Sequence, residues 1–435
     1  MRTIAKAALP LLVAGSALAV GAKKDEPKKS PIDEVAERYQ KARTPQRDKG
    51  QPAGVPVPLS PGECKSFAKD FLKAGEKDKA REAEAVFNAG VVYDHCGMTR
   101  EAEEMYKRAL QKNPKLAPAL NNLGVLYIKA GQQQAALSQF EAAIKVDPKS
   151  ALAVQAYNNK GAILYERARQ TNNPALYEEA IGALRRALAV DANSVQAYGL
   201  LAEIYYHRAE QDRSKLRLAQ LVCDEARKIN ENYPPIYNTL GLIKLRSKDV
   251  TGALSDFKQA AALDPGYVEA QLNIAAISLS SRSYKQAEEA FQAVLKKQPN
   301  NIDAVIGMGV ALRGQRRIDE AEAWYNKAQQ LDPRACAPLY NLGVLYHDYK
   351  SGAPEELRKA QDFYNRFVSC PGRTDPDKVA DARRRIKDID DTFKAIEEQK
   401  KLEEELRKQQ AEMERQQKLM EEQQRQQEQK ERSNK

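Results

Sequence analysis

The 435-residue chain is 42% hydrophobic, 30% charged and 7% aromatic, enough apolar material for a core and too much for a disordered polyelectrolyte. Its net charge of +10 does not form a block: residues 23–60 carry 9 basic and 6 acidic side chains, and 376–435 carry 16 of each. No face interleaves aromatics with Lys and Arg, so no nucleic-acid partner is expected. Taken in chain order, residues 1–22 read as a signal peptide. Arg2 and Lys6 form a basic start, 7–14 an apolar run, and Ala17-Leu18-Ala19 a small-residue cleavage site, with Val20-Gly21-Ala22 as an alternative. The run is short for a span, although an uncleaved anchor is a second reading, and no other stretch approaches one. Residues 23–61 hold seven prolines and one brief helical pattern near 32–42, which reads as a disordered, semi-extended tether. A lead-in helix follows within 62–82, apolar at Phe67, Phe71 and Leu72.

From residue 83 the chain repeats itself. Gly124, Ala136, Phe140, Ala143 and Pro148 recur one step of 34 residues earlier as Gly90, Ala102, Tyr106, Ala109 and Pro114. Eight units emerge: 83–116, 117–150, 154–194, 195–233, 234–267, 268–301, 302–335 and 336–374. Each has a small residue where paired helices cross, such as Gly161, Gly241, Gly309 or Gly343, and in most a proline ends the second helix. Three units are longer than 34, at 169–175, 207–215 and 348–354. Insertions at one point of a repeat fall along one edge, either as secondary contacts or as tolerated longer turns.

Five cysteines leave one spare. Cys336 opens the last unit and Cys370 closes it, while Cys64 and Cys96 lie symmetrically about a turn near Ala80. The expected bridges are therefore Cys64–Cys96 and Cys336–Cys370, with five buried thiols as the alternative. Residues 375–396 continue as a helix, apolar at Val379, Ala382, Ile386, Ile389, Phe393 and Ile396, suited to capping the last repeat. From 397 to 435 composition shifts to Glu, Gln, Lys and Arg. There Leu406, Met413 and Met420 keep a seven-residue step beside a mostly polar seam of Leu402, Gln409, Gln416 and Gln423. This is a solvated polar helix or disordered tail; a coiled coil with a partner is the alternative.

Nothing converges on catalysis or a metal. His95, His207 and His347 fall in units one, four and eight, and nucleophile-elbow, P-loop, zincin and paired CxxC motifs are missing. No enzyme activity, cofactor or metal is expected.

A 34-residue period with these small, aromatic and proline positions resembles the tetratricopeptide repeat (TPR) family over about two thirds of the chain. The fourth unit departs from it, with Cys223 for the aromatic and Glu231 for the proline, and the third has Ala192 for the proline. The resemblance implies an all-α, right-handed solenoid of about eight helix-turn-helix repeats with a long C-terminal helix. Its first helices would line a concave groove for peptides or partner helices. An Asn recurs two residues before the crossing position, at Asn88, Asn122, Asn159, Asn273 and Asn341. That row resembles the asparagine ladder of TPR proteins that bind extended chains. Phe87, Asn121, Asn158, Asn238 and Tyr340 would complete the surface, while local bonding within a common family spelling is the alternative. The carboxylate clamp of chaperone-tail binders is missing, since its Asn position holds Val91, Val125, Ala162, Glu203, Leu242, Ala276, Val310 and Val344. The whole layout resembles the periplasmic TPR proteins of myxobacterial adventurous gliding motility. This implies an exported scaffold, periplasmic or peripheral to the outer membrane, whose partners are other envelope or motility proteins. Another envelope assembly, such as pilus or secretin biogenesis, or a substrate-delivery subunit of an envelope enzyme, is the alternative.

Overall fold

The computed structural model describes residues 30–44, 57–210, 212–372 and 375–433, with backbone alone for 427–433. The expected signal peptide at 1–22 and much of the expected tether lie outside them. The described residues form nineteen α-helices and no strand. Contacts divide the chain into two compact bodies, Met1–Asp264 and Pro265–Lys435.

The first body opens with α1 (Pro31–Arg43) and α2 (Pro61–Lys77). Repeat hairpins follow in order: α3 (Glu82–His95) with α4 (Thr99–Lys112), α5 (Ala117–Lys129) with α6 (Gln133–Val146), and α7 (Ala151–Thr171) with α8 (Pro174–Val190). The last two are α9 (Val195–Arg208) with α10 (Ser214–Ile229), and α11 (Pro234–Arg246) with α12 (Val250–Leu263). In the second body α13 (Val268–Ser280) pairs with α14 (Tyr284–Lys297), α15 (Ile302–Gly314) with α16 (Ile318–Leu331), and α17 (Ala337–Asp348) with α18 (Pro354–Val368). The 58-residue α19 (Pro376–Ser433) packs on α18.

In five of the eight hairpins the helices pair where a glycine meets an aromatic ring. A Cβ added at Gly124 would come within 2.7 Å of the Phe140 ring, and one at Gly309 within 2.4 Å of Tyr325. The ring of the second helix therefore lies directly on the backbone of the first, and the Ala ladder of the second helix is buried beside it.

Two expectations are corrected. Residues 31–43 of the expected tether are a docked helix. Ile32, Val35, Ala36 and Tyr39 recur at helical spacing and enter the same core as Phe71, Phe87 and Tyr106. Pro31 opens the helix after its N-cap, Ser30. Arg81 then clamps Asp33 with two bonds of 2.9 and 3.0 Å. In the third repeat the extra residues lengthen helices instead of making a loop. The run Glu166-Arg167-Ala168-Arg169-Gln170 favours helix, so α7 reaches 21 residues and stops at Asn172, whose φ of 50° caps it in the left-handed region. The other two insertions are the loops before α10 and α18.

Disulfides join Cys64 to Cys96, bridging the open end of the α2–α3 hairpin, and Cys336 to Cys370, bridging that of α17–α18. Cys223 is a buried free thiol. α19 buries Ala382 and Ile389 against the last hairpin. Arg385 holds Asp348 with two bonds of 2.9 Å. From Glu397 to Gln426 every residue of α19 is exposed.

Candidate peptide-binding surface

Each first helix turns three faces to different neighbours, because successive residues advance about 100° round an α-helix. The crossing glycine faces the second helix of its own repeat. Two positions earlier, about 200° away, a side chain points toward the second helix of the preceding repeat. Asn122 shows this: its amide Nδ2 donates to the Tyr106 hydroxyl of α4 at 3.3 Å. Asn88, Asn122 and Asn159 are all buried, so in the first body the expected asparagine row faces inward between repeats and presents no open ladder. Both amide atoms of Asn88 and Nδ2 of Asn159 are buried without a partner. In the second body Asn273 and Asn341 are half-buried. Asn341 is engaged locally, donating to the Ala337 carbonyl at 3.0 Å and accepting from Arg313 at 3.4 Å.

The residues one position further back differ among themselves. Phe87 lies wholly inside the core, 5.6 Å from the Tyr106 ring. Tyr340 is covered by the cap: its hydroxyl donates to Asp381 of α19 at 2.8 Å, and its ring packs 5.2 Å from Phe367. Burial and that carboxylate push the Tyr340 phenol up to about 12. Asn121 and Asn238 are buried on α5 and α11, and Asn121 Oδ1 has no partner.

Asn158 is buried beside an open space. It lines a cavity of about 580 Å³ between the starts of α7 and α9, together with Val154, Gln155, Val190, Ser194, Val195 and Gln196. Lys149 and Asp191 stand at its rim. Asn158 is 2% exposed; its Nδ2 donates to Ser194 Oγ at 3.1 Å and Gln196 Oε1 at 3.5 Å, and its Oδ1 has no partner. Turning the amide over moves the unmet bond from oxygen to nitrogen without satisfying it. A buried polar atom left in this state costs about 1–3 kcal/mol. Valine walls, uncharged amides inside and opposite charges outside suit a main-chain segment better than an ion. Gln155, Ser194 and Gln196 were not singled out from the sequence. Their signal is position, because Gln155 and Gln196 each lie six residues before the crossing residue of their helix, on the same flank as Asn158.

The histidines do not meet. Burial holds His95 and His207 down at about 4, helped by Arg43 beside the first and by Arg169 and Arg246 near the second. Burial also raises the Cys223 thiol far above its usual range, which makes it inert at neutral pH. Among the described residues no group of three His, Cys, Asp or Glu side chains could hold a metal ion, and no helix is long and apolar enough to cross a membrane.

Helical hairpins, five of the eight crossing at a glycine beneath an aromatic ring, define a repeat scaffold within each body. Tetratricopeptide repeats are detected in it: family profiles of that description match residues 97–157, 238–302 and 278–335. The chain is similar to Tetratricopeptide repeat protein 37 of Xenopus laevis, 30% identical over 102 residues, which is 22% of this chain and 6% of that one. It is also similar to the DnaJ protein P58IPK homolog B of Oryza sativa subsp. japonica, 27% identical over 191 residues, 42% of this chain and 40% of that one. It thus spans well under half the length of these relatives. Among solved structures, TTC0263, a TPR protein of Thermus thermophilus, is 25% identical over 45% of this chain and 98% of its own, with a TM-score of 0.37. PilW, a type IV pilus biogenesis factor, is 18% identical over 51% of this chain and 96% of its own, with a TM-score of 0.40.

Proposed function

We propose that this chain is a non-enzymatic scaffold of the bacterial cell envelope, a component of a gliding-motility machinery that holds an extended segment of a partner protein on its first helices. The observation that carries the binding reading is the Asn158 cavity: an open space at a repeat seam, lined by a buried amide whose Oδ1 has no partner. An extended peptide offers the N–H and C=O groups that such an amide pairs with, whatever the peptide's side chains. Export is supported by the basic, apolar and small-residue order of residues 2–19, and by four cysteines paired at hairpin ends, as an oxidising compartment allows. Gliding is supported by the layout of leader, proline-rich stretch, repeats and polar tail.

Two measurements test the proposal separately. Peptides selected from a displayed random library on the wild-type protein should lose retention on Asn158→Ala; equal retention removes the cavity as the anchor. Deleting the gene should abolish surface movement while leaving pili and secretion intact, and fractionation of the wild-type strain should recover the protein from the periplasm. Normal gliding in the deletion strain overturns the motility assignment.

A further inference from the structure

The exposed part of α19 carries chemistry that the repeats do not use. From Glu397 to Gln426 the helix runs uncovered for about 45 Å at 1.5 Å per residue. A solvated helix has no reason to keep large apolar side chains in register, yet Leu402, Leu406, Met413 and Met420 are 58%, 49%, 60% and 61% exposed and share one face. The face has two seams. Leu406, Met413 and Met420 follow one another at seven residues, and Leu402, Gln409, Gln416 and Gln423 follow at seven residues beside them.

Those seams differ in kind, and that difference selects a partner. In a parallel, in-register pair each seam meets its own copy: thioether and leucine meet the same groups, and glutamine amides meet amides that can hydrogen-bond one another. In an antiparallel pair each position of one seam meets the other seam, so Met413 and Met420 would be buried against glutamines whose amides then lack partners. The flanks agree. Glu405 and Glu412 fall opposite Gln410 and Gln417 of the copy, so no carboxylate faces another beyond the start of the coil. The like pair Glu398 and Glu403 sets its N-terminal limit. We propose that residues 402–423 of α19 form a parallel, in-register, two-stranded coiled coil with the same segment of a second copy of this chain. The occupant of the exposed face is this chain itself, and the repeats of two copies are joined at their tails. A scaffold so paired presents two binding surfaces to one assembly, which raises its hold on a repeated partner without any new contact.

The full-length protein tests this directly. Sedimentation velocity over a concentration series should show a dimer, and Met413→Glu with Met420→Glu should shift it to monomer. Because both side chains are exposed in the single chain, the thermal unfolding of the repeats should stay unchanged. Gln409→Cys and Gln423→Cys should each form an interchain disulfide alone, since the native cysteines are paired or buried. A wild-type protein that stays monomeric at its highest soluble concentration overturns the proposal, as does a dimer or trimer that survives the double substitution. A disulfide forming only when the Gln409→Cys and Met420→Cys proteins are mixed, one from each seam, would show the antiparallel pairing and overturn it as well.

Discussion

Replacing Asn122 and Asn158 separately distinguishes an asparagine that holds repeats together from one that meets a ligand. Both are buried, and both lie on first helices of adjacent repeats. Asn122 spends its amide on the Tyr106 hydroxyl. Asn122→Ala removes that bond and several packed atoms, while Tyr106 retains another interaction, so a loss of about 1–2 kcal/mol is expected. Asn158→Ala loses a bond of about 1 kcal/mol to Ser194, the longer one to Gln196 and several packed atoms, but also removes an unmet buried atom worth about 1–3 kcal/mol in the opposite sense. The losses and the gain nearly cancel, and its effect on stability should lie within about 1 kcal/mol of zero. Two compact bodies make a single unfolding free energy ill defined, so hydrogen exchange is the suitable assay. Asn122→Ala should speed exchange in α4 and α5 and leave peptide retention near wild type. Asn158→Ala should leave exchange in α7 and α9 nearly unchanged and abolish retention. If Asn158→Ala loosens α7 and α9 as much as Asn122→Ala loosens its own helices, the amide is a packing element and the argument from its unmet bond fails.

Other perturbations probe the scaffold. Gly309→Ala should destabilise by up to about 2 kcal/mol: a clash of about 1–3 kcal/mol with the Tyr325 ring outweighs a helix-propensity gain of about 1 kcal/mol. Gly182→Ala on α8, with nothing within 4 Å of the added Cβ, should instead stabilise by about 0.5–1 kcal/mol, and hydrogen exchange in α15–α16 and in α7–α8 reads the two signs separately. Reducing the disulfides should cost about 3–4 kcal/mol at each hairpin in the chain-entropy limit, and mass-resolved exchange should rise first in α2–α3 and α17–α18. Stability should also fall with acid. His207 titrates near 4 in the fold and near 6.5 when unfolded, so the unfolded chain binds the extra proton between those values. Its contribution is intact above pH 6.5 and declines as pH drops toward 4, on the order of 2 kcal/mol at pH 5. Protection against hydrogen exchange in α9 should differ less between pH 7 and pH 5 in His207→Leu than in wild type.

The repeat frame was legible because its determinants are local and periodic: a glycine, a ring and a proline at fixed spacing fix the crossing, the packing and the stop. Cysteine pairing was legible for the same reason, since a hairpin of known length brings its two ends together. The docking of α1 was only half legible. Ile32, Val35, Ala36 and Tyr39 announce a helix, but the prolines around it dominated the composition and hid the core it enters. The asparagine row was read by its recurrence, and recurrence alone does not distinguish a residue facing a ligand from one facing the preceding repeat. Two residues along a helix change the direction by about 200°, which is what separates Asn122 at the Tyr106 hydroxyl from a groove. The cavity at Asn158 depends on Ser194 and Gln196 from the next repeat, and no single-unit pattern contains both sides of it.

The placement of covered and open positions bears on where a partner can sit. Near the start of the first body, Phe87 is consumed by the core that α1 and α2 complete, and α2 is bridged to α3 through Cys64 and Cys96. In the second body, Tyr340 is consumed by α19, and the last hairpin is closed through Cys336 and Cys370. Both aromatic positions that the sequence suggested for ligand contact therefore serve to seal a terminal repeat, where an unsealed solenoid would expose core. The interior seam between α7 and α9 has no such duty: its walls are small, its inner polar groups are the uncharged Gln155, Asn158, Ser194 and Gln196, and Asn158 Oδ1 is left able to accept a bond. Sealing needs large apolar groups that exclude water, whereas recognition of a main chain needs amides held in place and left unsatisfied. Asn158 meets the second requirement, and Phe87 and Tyr340 meet the first.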